Sequence, residues 1–229
     1  MHNPYWRTRY ENTPFVTYGL LAVTVVVFIL ETIAGGSTDN YVLLQFGARY
    51  NPLIYAGEWW RFITPIFLHI GLMHLAVNAV SLYFLGEIAE KIFGHWRFLL
   101  IYLISGIAGN VASFTFNPEV LAAGASTAIF GLMGAFLLLG DTYRHNALVT
   151  QLSRQFMTMA LLNLVFNLFS SGVDIFGHIG GLVGGVLIAG ALGAPKLGPM
   201  PRARQVIAAV VLVVALIALI HLGMLQGAQ

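Results

Sequence analysis

The sequence predicts an all-α polytopic membrane protein with seven transmembrane helices. Of its 229 residues, 58% are hydrophobic and only 9% are charged, with a mean hydropathy of +0.81, whereas soluble domains carry about 25% charged residues. Seven apolar runs are bounded by charged or turn residues, as membrane-spanning helices are. The basic residues alternate between the loops as seven crossings require. Seven spans use most of the 229 residues, so too few remain for a large second domain.

The predicted spans follow one another through mostly short connections. The first is longer than a signal-peptide core and six more follow it, so we interpret it as a retained helix. The spans are 15–34, 61–86, 96–116, 126–140, 155–170, 175–194 and 205–224. The predicted organisation is a cytoplasmic N-terminal segment at 1–14, a six-helix core at 15–194, and a cytoplasmic loop with an additional C-terminal transmembrane helix at 195–229.

The distribution of basic residues predicts the orientation in the membrane. Nine of the eleven lie in loops on one side, and the other side has Arg49 and Arg61. Because cytoplasmic loops hold the excess of Lys and Arg, the N-terminus is predicted inside and the C-terminus outside. The shortage of basic residues outside and the lack of a large soluble domain fit a bacterial plasma membrane, with another compartment as the alternative. The nine are Arg7, Arg9, Lys91, Arg97, Arg144, Arg154, Lys196, Arg202 and Arg204.

The composition excludes several kinds of chemistry. With no cysteine there are no disulfides, thiolate metal sites or cysteine nucleophile, and a net charge of +2 without a long basic run argues against nucleic acid as a partner. No charged residue lies mid-span, where proton-coupled transport usually needs one. No HExxH motif is present. On one helix, His69 and His74 would point about 140° apart, so we expect no metal and no cofactor.

Three predicted helices carry polar residues at one depth. His74, Ser126 and His178 lie roughly 20, 22 and 27 Å above the inner boundary at about 1.5 Å per residue. In a hydrocarbon core of about 30 Å, all three fall within about 10 Å of the outer face. They therefore indicate a single site that opens outward.

The fourth span is too short to cross the bilayer, because its 15 residues reach only about 22 Å. The preceding loop, 117–125, must then dip into the bilayer, where irregular backbone is tolerated only inside protein or facing water. A cavity above Ser126 is the expected consequence. Gly131, Gly181 and Gly185 favour close packing of the fourth and sixth spans, which is equally consistent with plain helix packing.

These residue types suit nucleophilic chemistry. The hydroxyl of Ser126 needs a base to accept its proton, and the neutral imidazole of His178 suits that task. His74 and Asn78, four apart on one helix face, can donate to a developing oxyanion, together with the free N–H groups at the start of the fourth helix. Taken singly, each residue is also explained by helix packing or an interhelical hydrogen bond.

Five ordered motifs lie across the first six spans: Gly57-Glu-Trp-Trp-Arg61, His74-x-x-x-Asn78, Gly86 with Glu90, Gly124-Ala-Ser-Thr127, and Gly177-His-Ile-Gly-Gly181. Together they resemble the motifs of the rhomboid intramembrane serine proteases. The resemblance implies a six-helix rhomboid-like catalytic core, to which a seventh helix is a common addition. It also implies a Ser-His dyad that hydrolyses peptide bonds in or near the transmembrane helices of other proteins.

The resemblance assigns roles to individual residues. Ser126 resembles the nucleophile and His178 the general base, while His74, Asn78 and the backbone N–H of Ser126 resemble the oxyanion donors. The residues that resemble structural supports are Phe130 beside the histidine, the Trp60–Arg61 pair in the first outer loop, and Gly124 and Gly181 of the motifs. The fifth span and the loop 171–177 resemble the lateral gate and cap through which a substrate helix enters from lipid.

Thr127 departs from the family pattern, which most often has Gly after the nucleophile. A branched side chain beside the oxyanion site would narrow the pocket or slow turnover, and it supports an alternative function as a catalytically inactive rhomboid-like protein that binds membrane helices. Asp174 lies four residues before His178, but we expect it to cap the sixth helix rather than form a triad. A channel or transporter is disfavoured because no inverted repeat is evident.

Overall fold

The computed structural model describes residues 13–169 and 172–227 and is almost entirely helical within them. These residues form nine α-helices: α1 Phe15–Ile33, α2 Asn40–Phe46, α3 Asn51–Tyr55, α4 Leu72–Phe93, α5 His95–Phe116, α6 Ser126–Thr142, α7 Ala147–Asn167, α8 Ile175–Leu192 and α9 Arg202–Gln226. Two 3₁₀ helices, Trp59–Phe62 and Thr64–Phe67, precede α4. Arg7, Arg9 and Ser171 lie outside the described residues.

The helices confirm the prediction of an all-α, multi-pass membrane protein. Five helices are long and apolar enough to cross a membrane: α1, α4, α5, α8 and α9. Helix α6 is apolar but has only 17 residues, in agreement with the prediction that the fourth span is short. Helix α7 has 21 residues but is less apolar, because its first half carries side chains such as Gln151 and Arg154.

Three predicted boundaries differ from the helix ends by seven residues or more. One is the end of the second span, which was expected at residue 86, whereas α4 continues to Phe93. The second span was expected to begin at residue 61, but α4 begins at Leu72, because Pro65 lacks a backbone N–H and Gly71 has a φ of +80° that ends the irregular segment. The helix at the fifth span begins at Ala147 rather than 155, where the Asn146 side chain accepts a hydrogen bond from Val149 N at 3.2 Å. Asn146 is an N-cap.

Helix α6 lies at the centre of the bundle, and glycines allow its neighbours to approach closely. Nearly every α6 residue from Thr127 to Leu139 is buried. A Cβ placed on Gly185 of α8 would overlap the backbone of Gly131 on α6, and one on Gly180 would overlap the side chain of Ala112 on α5. The predicted role of the glycines in packing α6 against α8 is therefore confirmed.

The first and last helices pack on the outside of this core. The buried carboxylate of Glu90 on α4 accepts bonds from Val16 N at 3.0 Å, Thr17 N at 2.8 Å and Thr17 Oγ1 at 2.6 Å, which satisfies backbone donors at the start of α1. Helix α1 is thereby fixed to α4, and α9 covers the outer faces of α8 and α5.

Candidate active site

Ser126 and His178 lie at hydrogen-bond distance although they are 52 residues apart in the chain. Ser126 is the first residue of α6 and His178 lies in the first turn of α8, and Ser126 Oγ is 2.8 Å from His178 Nε2. The ring of Phe130 stacks on the imidazole, with 4.4 Å between ring centroids and 12° between the planes. His178 is only 7% exposed, so its ring is held within the protein.

A cavity of about 630 Å³ opens beside this pair. His74, Asn78, Ser126 and His178 all line it, and the loop residues 120–124 form part of its wall. The structure therefore brings together, around one cavity, the polar residues that the sequence places on three helices. The cavity adjoins Ser126, where a cavity was expected because the fourth span is short.

The His74 ring lies against Gly124, beside the nucleophile. His74 Nδ1 accepts a hydrogen bond from Ile70 N at 3.4 Å, so in the neutral ring Nε2 carries the hydrogen and is a donor. A Cβ on Gly124, whose φ is +139°, would lie 2.8 Å from His74 Nε2 and 3.7 Å from Ser126 Oγ. Only glycine suits this position, both for its backbone conformation and for the space it leaves.

The Asn78 amide lies one turn further along α4. Its Nδ2 donates one hydrogen bond to His74 O at 3.0 Å. An amide nitrogen carries two hydrogens, so a second donor remains for a group that enters the cavity.

The branched side chain of Thr127 packs between neighbouring helices. A Cβ on Gly109 of α5 would lie 2.7 Å from Thr127 Cβ, and one on Gly177 of α8 would lie 3.2 Å from Thr127 Cγ2. Two glycines therefore make the room that this side chain occupies. Its buried Oγ1 has no hydrogen-bond partner among the residues that the structure describes.

Asp174 caps α8, as predicted from the sequence. Its carboxylate accepts from Gly177 N at 3.3 Å and from Asn117 Nδ2 at 3.2 Å, and also from the hydroxyl of Ser113. These bonds fix the start of α8, which carries His178, against the end of α5.

Sequence reasoning missed Asn167, which lies beside the histidine. It is the last residue of α7, and its amide nitrogen lies 2.7 Å from His178 Nδ1. The sequence does contain a signal, since Asn163 and Asn167 are two amides four residues apart in an apolar run. That spacing does not indicate which element the amides face.

His69 lies before α4, so the predicted 140° angle to His74 is wrong. The two ring centroids are 5.2 Å apart. His69 Nε2 accepts from Ala125 N at 3.4 Å, and His69 N donates to Glu31 Oε2 at 3.4 Å. Within residues 13–169 and 172–227, no three His, Asp or Glu side chains form a group that could hold a metal ion. His69 supports the backbone directly before the nucleophile.

Arg61 ties together the segment between α1 and α4. Its guanidinium pairs with Glu58 at 2.6 Å and donates to Ala48 O at 2.8 Å and Leu44 O at 3.0 Å. Trp60 beside it is 53% exposed. The aromatic ring thus faces outward from a rigid segment, as expected at a membrane interface.

Arg49, which the sequence offered only as a charge on the outer side, holds the wall of the cavity. Its fully buried guanidinium donates to Val120 O at 2.6 Å and Asn117 O at 3.1 Å, and its backbone forms an antiparallel bridge with Ala122. Burial lowers the pKa of Arg49 to about 10, so the side chain remains charged at neutral pH.

The fold and the site define a multi-pass membrane protein with a serine and a histidine hydrogen-bonded at the edge of an internal cavity. Residues 56–195 match the family model described as Rhomboid domain, and the chain belongs to the rhomboid family.

Curated relatives agree with this family. The chain is 43% identical over 211 residues to Rhomboid protease GluP of Bacillus subtilis (strain 168), covering 92% of this chain and 41% of that protein. It is 33% identical over 177 residues to Putative rhomboid protease YdcA of the same organism, covering 77% of this chain and 87% of that protein. It is 31% identical to Rhomboid-like protease 3 of Toxoplasma gondii, covering 72% and 64%. The chain thus spans less than half of the length of GluP.

Proposed function

We propose that the chain is an intramembrane serine endopeptidase that hydrolyses peptide bonds in or near the transmembrane helices of other membrane proteins. The observation that carries this proposal is the 2.8 Å contact between Ser126 Oγ and His178 Nε2 at the edge of the cavity. The names of the relatives, which are called proteases, support it.

The proposal assigns a group to each step of the reaction. Ser126 Oγ attacks the substrate carbonyl carbon while its proton passes to His178 Nε2. The resulting oxyanion accepts hydrogen bonds from His74, Asn78 and the backbone N–H of Ser126. The C–N bond then breaks, the amine leaves with the proton from His178, and a water molecule from the cavity hydrolyses the acyl-enzyme by the same route.

Phe130 and the glycines Gly124 and Gly181 support this arrangement. Stacking on Phe130 holds the plane of the imidazole. Gly124 leaves room for the His74 ring, and Gly181 allows α8 to approach the backbone of Thr127. We place the active-site opening on the extracytoplasmic side of the cell membrane, with the N-terminus inside, because the basic residues are concentrated on the opposite side.

The test compares cleavage of a model single-span substrate in liposomes by the unchanged protein, Ser126→Ala and His178→Ala. We expect cleavage that both substitutions abolish. Cleavage that survives in Ser126→Ala would contradict the proposal. Labelling with an active-site fluorophosphonate distinguishes this proposal from the inactive alternative that Thr127 suggests. An active protein is labelled at Ser126, whereas a folded pseudoprotease is not.

A further inference from the structure

The Asn167 side chain contacts the imidazole nitrogen that does not face the serine. Its amide nitrogen lies 2.7 Å from His178 Nδ1, while His178 Nε2 lies 2.8 Å from Ser126 Oγ. Asn167 is half-buried at the end of α7. The imidazole is therefore held between a hydroxyl and an amide.

This arrangement has a consequence for the tautomer of His178. A neutral imidazole carries one hydrogen, so Nε2 can accept the Ser126 proton only when that hydrogen is on Nδ1. Nδ1–H then needs an acceptor. The stacked Phe130 ring supplies none in the plane of the imidazole. The carboxylate of Asp174 accepts from Gly177, Asn117 and Ser113, whereas the group at hydrogen-bond distance from His178 Nδ1 is the Asn167 amide.

The Asn167 amide can satisfy either tautomer, because a half-turn about its last side-chain bond exchanges the oxygen and the nitrogen. With the nitrogen facing Nδ1, the amide donates to it and the hydrogen lies on Nε2, which blocks proton transfer from Ser126. With the oxygen facing Nδ1, the amide accepts from Nδ1–H and Nε2 is free to act as the base.

We infer that Asn167 presents its amide oxygen to Nδ1–H of His178, in the resting protein as well as during the reaction, and is the positioning residue that selects the tautomer of the general base. This inference rests on the proposed Ser-His chemistry. When Nε2 has taken the serine proton, Nδ1 still carries its own, so the same amide oxygen also stabilises the imidazolium. Because Asn167 is the last residue of α7, the position of that helix also affects which tautomer of His178 is favoured.

The kinetic test uses Asn167→Leu, which keeps a similar shape without polar atoms, and Asn167→Asp, whose ionised carboxylate accepts but does not donate. In the unchanged full chain, kcat and KM for a single-span substrate give the reference. We expect Asn167→Leu to lower kcat by about 10- to 100-fold with little change in KM, and Asn167→Asp to retain most of kcat. Unchanged kcat in Asn167→Leu, or an equal loss in Asn167→Asp, would overturn the inference.

A spectroscopic test does not depend on cleavage. In protein labelled with ¹⁵N-histidine in micelles, the His178 signal is identified by its loss in His178→Ala. We expect the Nδ1–H tautomer in the unchanged protein, a mixture in Asn167→Leu, and no change in the matched control Asn163→Leu, whose amide bonds to Met159 O of its own helix at 2.9 Å. An Nε2–H tautomer in the unchanged protein would overturn the inference, whereas cleavage by Ser126→Ala would instead contradict the proposed function.

Discussion

Replacing Gly185 with Ala tests whether the close approach of α6 and α8 controls the distance between Ser126 and His178. Gly185 follows His178 by seven residues, about two turns along the same face of α8. The new Cβ would lie 2.6 Å from Gly131 Cα and overlap the carbonyl oxygen of Gly131. Both are backbone atoms, so no change of rotamer can relieve the overlap.

The size of the effect follows from ordinary contact distances. Carbon atoms pack at about 3.5 Å or more, so α8 must move away from α6 by about 1 Å. A comparable shift at His178 would stretch the 2.8 Å contact with Ser126 beyond hydrogen-bond range. We expect a loss of about 1–3 kcal/mol of stability from overpacking and a loss of about 100-fold in rate, as a misplacement of about 1 Å can produce.

The assay measures the thermal midpoint in detergent and the rate of fluorophosphonate labelling of Ser126. Gly19→Ala is the matched control, because it makes the same chemical change in α1, where a new Cβ meets nothing within 4 Å. A Gly185→Ala protein with the labelling rate and midpoint of the control would refute the argument that helix separation sets the geometry of the pair.

Three further substitutions test other parts of the structure. We expect Arg49→Met to raise KM for a single-span substrate more than it lowers kcat, because the carbonyl of Val120 in the cavity wall loses its donor, and steady-state kinetics measures both. Glu90→Gln should lower stability by about 1.5–3 kcal/mol because it weakens charge-assisted bonds to the start of α1; a thermal midpoint equal to that of the unchanged protein would contradict this. Gly109→Ala should reduce folded yield, because its Cβ would lie 2.5 Å from the carbonyl oxygen of Gly177 and 2.7 Å from Thr127 Cβ. Thr127→Gly in the same chain should restore part of the yield, since it relieves the second contact and not the first, as size-exclusion chromatography would show.

The sequence predicted that polar residues from three helices lie at one level because helix geometry is regular. A rise of about 1.5 Å per residue was enough to place His74, Ser126 and His178 at one level before any contact was known. The capping role of Asp174 was likewise a local property of a helix start. Each of these predictions depended on short-range geometry along one helix.

The errors and omissions concern segments whose path depends on the rest of the fold. Because the backbone around Pro65 is irregular, His69 lies before α4 and beside His74. The angle calculated for a continuous helix could not predict that position. From the sequence, Arg49 was identified only as a basic residue on the outer side. In the structure, its guanidinium donates to backbone carbonyls about 70 residues further along the chain. Asn167 lies beside His178 because of how α7 packs in the bundle, which the sequence of α7 alone does not indicate.

The strongest sequence argument for an inactive protein was Thr127, and its surroundings in the structure weaken that argument. Thr127 borders the cavity, but it is only 7% exposed and its methyl group lies toward Gly109 and Gly177. Because these two positions lack side chains, the larger residue is accommodated between helices α5 and α8. The departure from the family pattern is therefore compensated in packing, and the polar atoms at Ser126 and His178 keep a spacing that proton transfer requires.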